Sequence, residues 1–338
     1  MPLPTGPVIG IMMDNLEKRK SVFPISGRQA VKWADSLGIP AGGETVLYTG
    51  SMYQLLPYMI AAVNVMGMME NSFLGRFVGL GRFFNRIVNV SSIMFMPKPS
   101  DQKRFARTIR DIARLLLQAG VQFGYLYKDD LYAGALAFDM GADRVFAAHA
   151  RKVYAVLKSH GVRTLITIDP HTTNMLRSVY PTVIDGFDIE VKSYLEVLAA
   201  TDTLRPLRQV ENDITIHDSC VYARYENVIE EPRQLLQRAG FGVREPEDCR
   251  KLTFCCGGPV ESLFPSKAHE IGKKRVEQLK NAEGKGVATM CPICLATLQQ
   301  AAHGDLMIDD ISRFLVEAFC EPEEKGIRAR TAGKRGAP

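Results

Sequence analysis

The sequence predicts an α/β protein made of two domains with parallel sheets. Its 338 residues are enough for two hydrophobic cores, since a typical domain has about 150 residues. Short β-rich runs alternate with amphipathic helical runs, and this alternation favours parallel strands joined by crossover helices. The turns of the two halves also match each other, which indicates an internal duplication and a pair of domains related by pseudo-symmetry.

The first half contains three predicted strands and two predicted helices. Gly50 ends the first strand and Gly120 ends the first amphipathic helix, as glycine often does at a turn. A turn of sequence Asp169-Pro170-His171-Thr172 follows the last strand. The strands are predicted over 42–50, 121–127 and 164–168, and the helices over 101–120 and 142–161.

The second half repeats this plan with strands over 213–217, 251–258 and 286–290 and helices over 232–240 and 266–284. A polar segment over 201–212 separates the two copies. We therefore predict a first domain over 1–205, a second over 206–320 and a mobile basic tail over 321–338.

Composition and charge exclude several classes of protein. A hydrophobic fraction of 46% and a charged fraction of 23% are typical of a globular chain. The net charge of +5 is small for this length, which argues against nucleic-acid binding. The first residues lack the basic start and long apolar core of a secretory signal, so we expect a cytoplasmic protein. Seven cysteines in that compartment indicate ligation or catalysis rather than a disulfide framework.

The first half contains an inserted segment over about 51–106, and two apolar stretches lie within it or overlap it. The stretch 46–69 carries no charge, but its glycine, proline and polar residues favour a buried strand, turn and helix over a membrane span. The stretch 73–96 alternates aromatic residues with Arg76, Arg82 and Arg86. We predict a docking surface for a partner subunit there; an interfacial membrane helix and ordinary core packing remain alternatives.

Five cysteines of the second half follow predicted strand ends. In a parallel sheet the carboxyl ends of the strands share one edge, so these residues are expected to meet in one pocket. Thiolates are soft ligands that select iron–sulfur clusters, zinc or cuprous copper. Five thiolates exceed the four ligands of a tetrahedral zinc ion, which favours a cluster of several irons; buried core cysteines and a zinc site are the alternatives. The five are Cys220, Cys255, Cys256, Cys291 and Cys294.

Neighbouring residues fit the same interpretation. Gly257 and Gly258 would let the backbone turn tightly and approach the inorganic core. Pro292 would begin the next helix without wasting an amide donor. Cys249 and Cys320 lie outside the pattern, and we expect both to be core residues.

The motifs Cys255-Cys256-Gly257 and Cys291-Pro-Ile-Cys294 resemble those of the cysteine-rich CCG domain family. This family includes a cluster-bearing subunit of heterodisulfide reductase and iron–sulfur subunits of lactate and glycolate oxidation. The resemblance implies two tandem Rossmann-like CCG domains and one noncubane 4Fe-4S cluster held by all five cysteines. The first copy is degenerate at the matching positions, where Ser51, Tyr132-Ala133-Gly134 and Asp169-Pro170-His171-Thr172 stand.

The resemblance implies an oxidoreductase: an iron–sulfur subunit of a heterodisulfide reductase-like complex that transfers electrons and carries out disulfide or thiol chemistry. Its partners would be flavin- or ferredoxin-type redox subunits, its substrate a small thiol, disulfide or sulfur carrier, and any membrane contact would pass through a partner. An electron-relay subunit of a lactate or glycolate oxidoreductase and a non-catalytic, metal-stabilised assembly subunit are the alternatives.

Four further residues have both functional and structural interpretations. His171 and Asp169 stand where ligands would be in an intact first copy, and they would supply a proton, hold an anionic substrate or simply form a turn. His217 precedes Cys220 and, with Asp218, would either tune the cluster through hydrogen bonds or cap the turn.

Overall fold

The computed structural model describes residues 5–23, 25–69, 85, 95–258 and 264–322. Within them lie two four-stranded sheets whose strands are all parallel, flanked by helices. The predicted α/β class is therefore confirmed, and the paired sheets fit tandem Rossmann-like domains.

The first sheet has the strand order β2-β1-β3-β4. Tyr48 at the end of β1 lies opposite Thr167 of β3, which in turn lies opposite Ser193 of β4. The strands are β1 Thr45–Tyr48, β2 Gly124–Tyr125, β3 Thr164–Thr167 and β4 Glu190–Ser193.

The second sheet has the strand order β6-β5-β7-β8, so both halves share one topology. His217 at the end of β5 lies opposite Thr289 of β7, which lies opposite Asp310 of β8. This repeated order agrees with the predicted pseudo-symmetry. The strands are β5 Asp213–His217, β6 Gly242–Arg244, β7 Val287–Thr289 and β8 Ile308–Asp310.

Helices cover both sheets, and their apolar stripes decide which faces are buried. The longest of the described helices, Pro99–Gln118, begins with proline at its first turn and buries Phe105, Ile109, Ile112 and Leu116 at helical spacing. The α-helices of the described residues include Thr5–Arg19, Gly27–Val31, Met52–Met69, Pro99–Gln118, Ala135–Asp139, Asp143–Ser159, Pro170–Asn174, Tyr180–Val183, Tyr194–Ala199, Glu230–Arg238, Pro265–Asn281, Pro292–Ala302 and Ile311–Phe319.

One predicted strand, 251–258, is wrong. Its residues form a 3₁₀ turn over Arg250–Leu252 and then irregular chain, and the edge strand of this sheet is β6. The side chain of Arg224 takes hydrogen bonds that pairing with a neighbouring strand would otherwise use. It donates to the carbonyls of Lys251 and Thr253, at 3.1 and 2.6 Å. The backbone there is therefore satisfied without a neighbouring strand.

The stretch 46–69 forms the predicted buried strand, turn and helix. Across the part of the chain that the structure describes, no helix is both long and apolar enough to cross a membrane. Most of 73–96 and the tail from 323 onward lie outside the described residues, so the docking surface and the mobile tail stay predictions. The segment 201–212 contains neither helix nor strand, and the domain boundary placed there also stays a prediction.

Two tyrosines join the halves in a reciprocal way. Tyr53, in the helix after β1, donates a hydrogen bond of 2.5 Å to the carboxylate of Asp310 at the end of β8. Tyr222, just after β5, contacts the hydroxyl of Ser193 at the end of β4, at 2.8 Å. Each half thus reaches the last strand of the other, and the carboxyl edges of the two sheets face one another.

Candidate metal centre

The second sheet brings the five cysteines together at its carboxyl edge. Cys220 begins a helical turn shortly after β5, and Cys291 is the N-cap of the helix Pro292–Ala302 that follows β7. Cys294 lies in the first turn of that helix. Cys255 and Cys256 come from the loop after the 3₁₀ turn rather than from a strand end.

The five thiols contact one another in a continuous series. Side-chain interactions link Cys220 to Cys255, Cys255 to Cys256, Cys256 to Cys294, and Cys294 to Cys291. Cys220 and Cys255 are half-buried, and the other three are buried. The series therefore runs from an accessible end to an enclosed end.

The two glycines after the cysteine pair are required by close packing. Gly257 has a φ of +88°, which favours glycine, and a side chain there would lie 2.7 Å from the carbonyl of Ala268. A side chain at Gly258 would lie 2.2 Å from Ile293 Cγ2. Their amides donate to the sulfurs of Cys255 and Cys256, each at 3.4 Å. The loop thus presents N–H groups to sulfur, an arrangement that suits sulfur ligands of a cluster.

Hydrogen bonds between thiols separate the protonation states at the accessible end. Hydrogen bonds from Cys220 and Cys256 lower the pKa of Cys255 to about 2. The hydrogen bond to Cys255, together with burial, raises the pKa of Cys220 well above its usual range. The pKa of Cys256 is also raised, mainly by its hydrogen bond to Cys255. The interactions within this group therefore favour a thiolate at its accessible end before any metal binds.

Cys291 is the thiolate of the enclosed end. Burial opposes its ionisation, but hydrogen bonds from Cys294 and His171 outweigh burial and hold the pKa of Cys291 well below its usual range. Hydrogen bonds to Cys256 and Cys291 raise the pKa of Cys294. Soft, partly ionised sulfur ligands at one sheet edge are the donor set that iron–sulfur clusters use.

The number of sulfurs at this edge exceeds what a single metal ion needs. Among the described residues, no group of three or more His, Cys, Asp or Glu side chains is arranged to hold a metal ion. A tetrahedral ion takes four ligands, whereas the series has five thiols, with backbone amides directed at two of the sulfurs. A centre with several irons gives each of these sulfurs a partner.

The first half contributes His171 to this centre. The side chain is buried and interacts with Cys291, so the structure brings it to the cysteines. Burial lowers the pKa of His171, but the bond to Cys291 and the charges of Cys291, Asp139 and Asp169 together raise it to about 9. Asp169 caps the helix Pro170–Asn174 by accepting from the Thr172 amide at 2.9 Å, so its predicted turn role is present. Burial raises the pKa of Asp169 to about 6.

His217 and Asp218 have different surroundings. His217 is buried, and its Nδ1 accepts a hydrogen bond of 3.1 Å from the guanidinium of Arg275. Burial and the charge of Arg275 lower the pKa of His217 to about 3. Asp218 forms a bidentate pair with Arg233, with two N–O distances of 2.8 Å, and accepts from the Arg250 amide at 2.6 Å.

Sequence reasoning missed Arg275 and Arg233, although a signal was present. Arg275 lies on the buried stripe of its helix with Ala268, Gly272 and Val276, and a basic residue in such a stripe needs a buried partner. Arg233 is buried in the same way on Glu230–Arg238.

The two cysteines outside the series differ from each other. Cys320 is buried at the end of the last helix, as predicted for a core residue. Cys249 is only half-buried and hydrogen-bonded to Glu245, so the core prediction for this residue is wrong. Its loop lies at the surface because it precedes the irregular chain that replaced the predicted strand.

Comparisons with known proteins agree with this geometry. Residues 214–299 match the family described as "CCG: Cysteine-rich domain", and that range includes all five cysteines. The chain is 30% identical over 207 residues to an EtfAB:quinone oxidoreductase of Syntrophomonas wolfei, covering 58% of the chain and 29% of the relative. It is 32% identical over 208 residues to a probable iron-sulfur-binding oxidoreductase, FadF, of Bacillus subtilis, covering 60% and 29%.

A third relative is named for disulfide chemistry. It is a component of the dihydromethanophenazine:CoB–CoM heterodisulfide reductase of Methanosarcina acetivorans, and the chain is 21% identical to it over 220 residues, covering 61% of the chain and 54% of the relative. The matched region spans less than a third of the length of the first two relatives. The family match and the iron–sulfur relatives support an iron–sulfur cluster in this chain.

Proposed function

We propose, on the premise that residues 214–299 are a cysteine-rich domain of the CCG family, that this chain is the iron–sulfur subunit of a heterodisulfide reductase-like complex. The observation that carries the proposal is the series of five thiols at one sheet edge, each interacting with the next. A series that runs from half-buried to fully buried sulfurs suits a cofactor with one accessible side.

The five cysteines would hold one noncubane 4Fe-4S cluster. When bound, such a cluster supplies one-electron transfer and an affinity for sulfur. Gly257 and Gly258 would shape its loop, and their amides would donate to two of the ligand sulfurs. Because ligation requires thiolates, loading would release the protons that the thiols of the series carry in the metal-free state.

The reaction would be the reduction of a disulfide, or its reverse. A disulfide takes up two electrons and two protons, its S–S bond breaks, and two thiols leave. A partner subunit of flavin or ferredoxin type would exchange the electrons. The half-buried end at Cys220 and Cys255 would face the sulfur substrate. His171 would hold a proton at its ring beside Cys291, with Asp169 next to it. This chemistry would take place in the cytoplasm, with membrane contact only through a partner.

Metal analysis of matched variants tests the ligand assignment. After anaerobic purification we expect about four irons and four acid-labile sulfides per chain. Cys256→Ser is expected to lose the cluster, while Cys249→Ser, the half-buried control, keeps it. Equal iron in both variants would contradict the assignment. A colourless wild-type protein with stoichiometric zinc would instead support the assembly subunit with a purely structural metal.

An electron-relay subunit is the second candidate. The names of the first two relatives, a quinone oxidoreductase and an iron-sulfur-binding oxidoreductase, favour it. Turnover of a model disulfide by the reduced, iron-loaded Cys249→Ser variant separates the two candidates. Cys249 is the accessible cysteine outside the cluster, so replacing it removes a source of simple thiol exchange. Repeated thiol release with a chemical electron donor would support disulfide chemistry, whereas a loaded protein that releases none would favour the relay.

A further inference from the structure

Three buried polar atoms at the carboxyl edge of the second sheet have no hydrogen-bond partner among the described residues. They are His217 Nε2, Ser219 Oγ and Thr289 Oγ1. His217 and Thr289 lie opposite one another at the ends of β5 and β7, and Ser219 precedes Cys220. A buried polar group without a partner destabilises the fold, so three at one edge indicate a group that binds there.

The tautomer of His217 follows from its one partner. Arg275 is fully buried, and its Nε lies 3.1 Å from His217 Nδ1. A guanidinium has donors only, so Nδ1 must accept and the ring proton must sit on Nε2. Arg275 is held in turn by the Asp248 carbonyl at 2.9 Å and by Gln278 at 2.8 Å. The ring therefore presents an N–H donor that no acceptor among the described residues receives.

The degenerate half provides an internal comparison. Tyr48 takes the place of His217 there, and it lies opposite Thr167 as His217 lies opposite Thr289. The Tyr48 hydroxyl donates to the Leu131 carbonyl at 2.6 Å, and the Thr167 hydroxyl contacts Thr173 at 2.7 Å. The half without the cysteines thus satisfies these two positions internally, and the atoms that stay open near them, Asp169 Oδ2 and Thr172 Oγ1, lie in the turn after β3. Among the described residues, the half with the cysteines leaves the donors at the two equivalent strand ends open.

We propose that His217 donates its Nε2–H to a sulfur of the cluster beside Cys255, and that Arg275 is the positioning residue that holds it in the donating tautomer. This inference rests on the proposed cluster. Cys255 and His217 interact electrostatically even in the metal-free state. A hydrogen bond to a cluster sulfur stabilises the reduced, more negative form, so it raises the reduction potential.

Two variants of His217 test the donor. His217→Phe removes it, whereas His217→Gln places an amide N–H near the position of Nε2. Among variants with wild-type iron content, we expect the reduction potential to become more negative in His217→Phe and to return toward wild type in His217→Gln. Equal potentials in all three proteins would overturn the proposal, because a histidine that only fills space would leave the potential unchanged.

Nitrogen hyperfine spectroscopy of protein labelled with ¹⁵N-histidine gives a second readout. We expect a ¹⁵N coupling to the paramagnetic cluster in wild type that is absent from labelled His217→Gln. His171 also lies beside a ligand, so this labelled variant is the proper reference. An unchanged spectrum would overturn the proposal even where His217→Phe fails to hold iron.

Arg275 is tested through the same coupling. Arg275→Lys retains a donor-only group for Nδ1 and is expected to keep the coupling, whereas Arg275→Met frees Nδ1 and weakens it. Loss of the Arg275 charge alone would shift the reduction potential without weakening the His217 coupling. The coupling therefore reports on positioning. A wild-type protein without iron and sulfide would defeat the proposed function itself; a loaded wild type without the His217 coupling defeats only this inference.

Discussion

Replacing Asp130 by asparagine should change how the stability of the first half depends on pH. The Asp130 carboxylate is buried between β1 and β2 and accepts hydrogen bonds from the Thr49 hydroxyl, the Thr49 amide at 3.2 Å and the Tyr125 hydroxyl at 3.1 Å. Burial nevertheless dominates and raises the pKa of Asp130 from 3.8 to about 7. The groups that lower this pKa are neutral hydrogen-bond donors from Thr49, Gly50 and Tyr125, and they do not outweigh burial.

The sign and size of the effect follow from these two values. Below pH 3.8 the carboxyl is neutral in both the folded and the unfolded chain. As the pH rises, the unfolded chain ionises first, so the wild type loses stability until the folded carboxyl also ionises near pH 7. At about 1.4 kcal/mol per pKa unit, this loss amounts to roughly 4 kcal/mol. Asp130→Asn lacks the loss, so it should gain about that much relative to wild type between pH 4 and pH 8.

The chain carries its own probe for this measurement. Trp33 is the single tryptophan, and its ring packs against Tyr125 with a centroid distance of 4.8 Å. Tryptophan fluorescence during anaerobic urea unfolding therefore reports on the region around Asp130. The exposed Asp35, in the same half, supplies the control Asp35→Asn, which should follow the wild type at every pH.

A constant difference between Asp130→Asn and wild type would refute this reasoning. The amide places an N–H₂ group where the carboxylate accepted donors, which costs about 1–3 kcal/mol at every pH. That cost shifts the two curves apart without changing their slopes. Only a difference that grows with pH supports a buried carboxyl with a raised pKa, and parallel curves would show that Asp130 ionises normally.

Two further substitutions test the packing around the cysteines. Gly258→Ala would bring a methyl group to 2.2 Å from Ile293 Cγ2, so we expect it to destabilise the protein by about 1–3 kcal/mol and to lower its iron content. The control Gly27→Ala has open space around it and should keep both stability and iron content near wild type. Arg233→Met would leave Asp218 buried without its bidentate partner, so it should lower the free energy of unfolding in urea by about 3–5 kcal/mol. Adding Asp218→Asn to this variant should recover much of that loss, because it removes the unpaired buried charge. A Gly258→Ala protein of normal stability, or an Arg233→Met protein that asparagine does not rescue, would contradict these contacts.

The helices and central strands were predictable because their patterns are long or rich in β-forming residues. The helix Pro99–Gln118 shows a regular buried stripe, and β1, β3, β5 and β7 are short, almost fully buried runs before turns, rich in valine, isoleucine, leucine and threonine. The edge strand β4, of sequence Glu-Val-Lys-Ser, alternates exposed and buried residues over only four positions and gave no such pattern. The apolar stretch 251–258 looked like a strand, but Arg224, which is distant in sequence, binds its carbonyls.

The candidate site was predictable as far as residue type alone determines it. Thiols of one chain that recur at similar turns are expected to meet, and the structure brings all five together. The approach of His171 to Cys291 depends on how the halves pack, which no local pattern records. The pairing of Arg275 with His217 joins residues 58 positions apart and likewise needed the fold.

The reciprocal contacts of Tyr53 and Tyr222 have a consequence for any gene that would encode the halves separately. The first polypeptide would expose Tyr53 and Ser193, and the second would expose Asp310 and Tyr222. Each tyrosine hydroxyl would find its hydrogen-bond partner on the other polypeptide. The two fragments would therefore carry the means to recognise each other, and complementation in trans is the natural outcome of such a split.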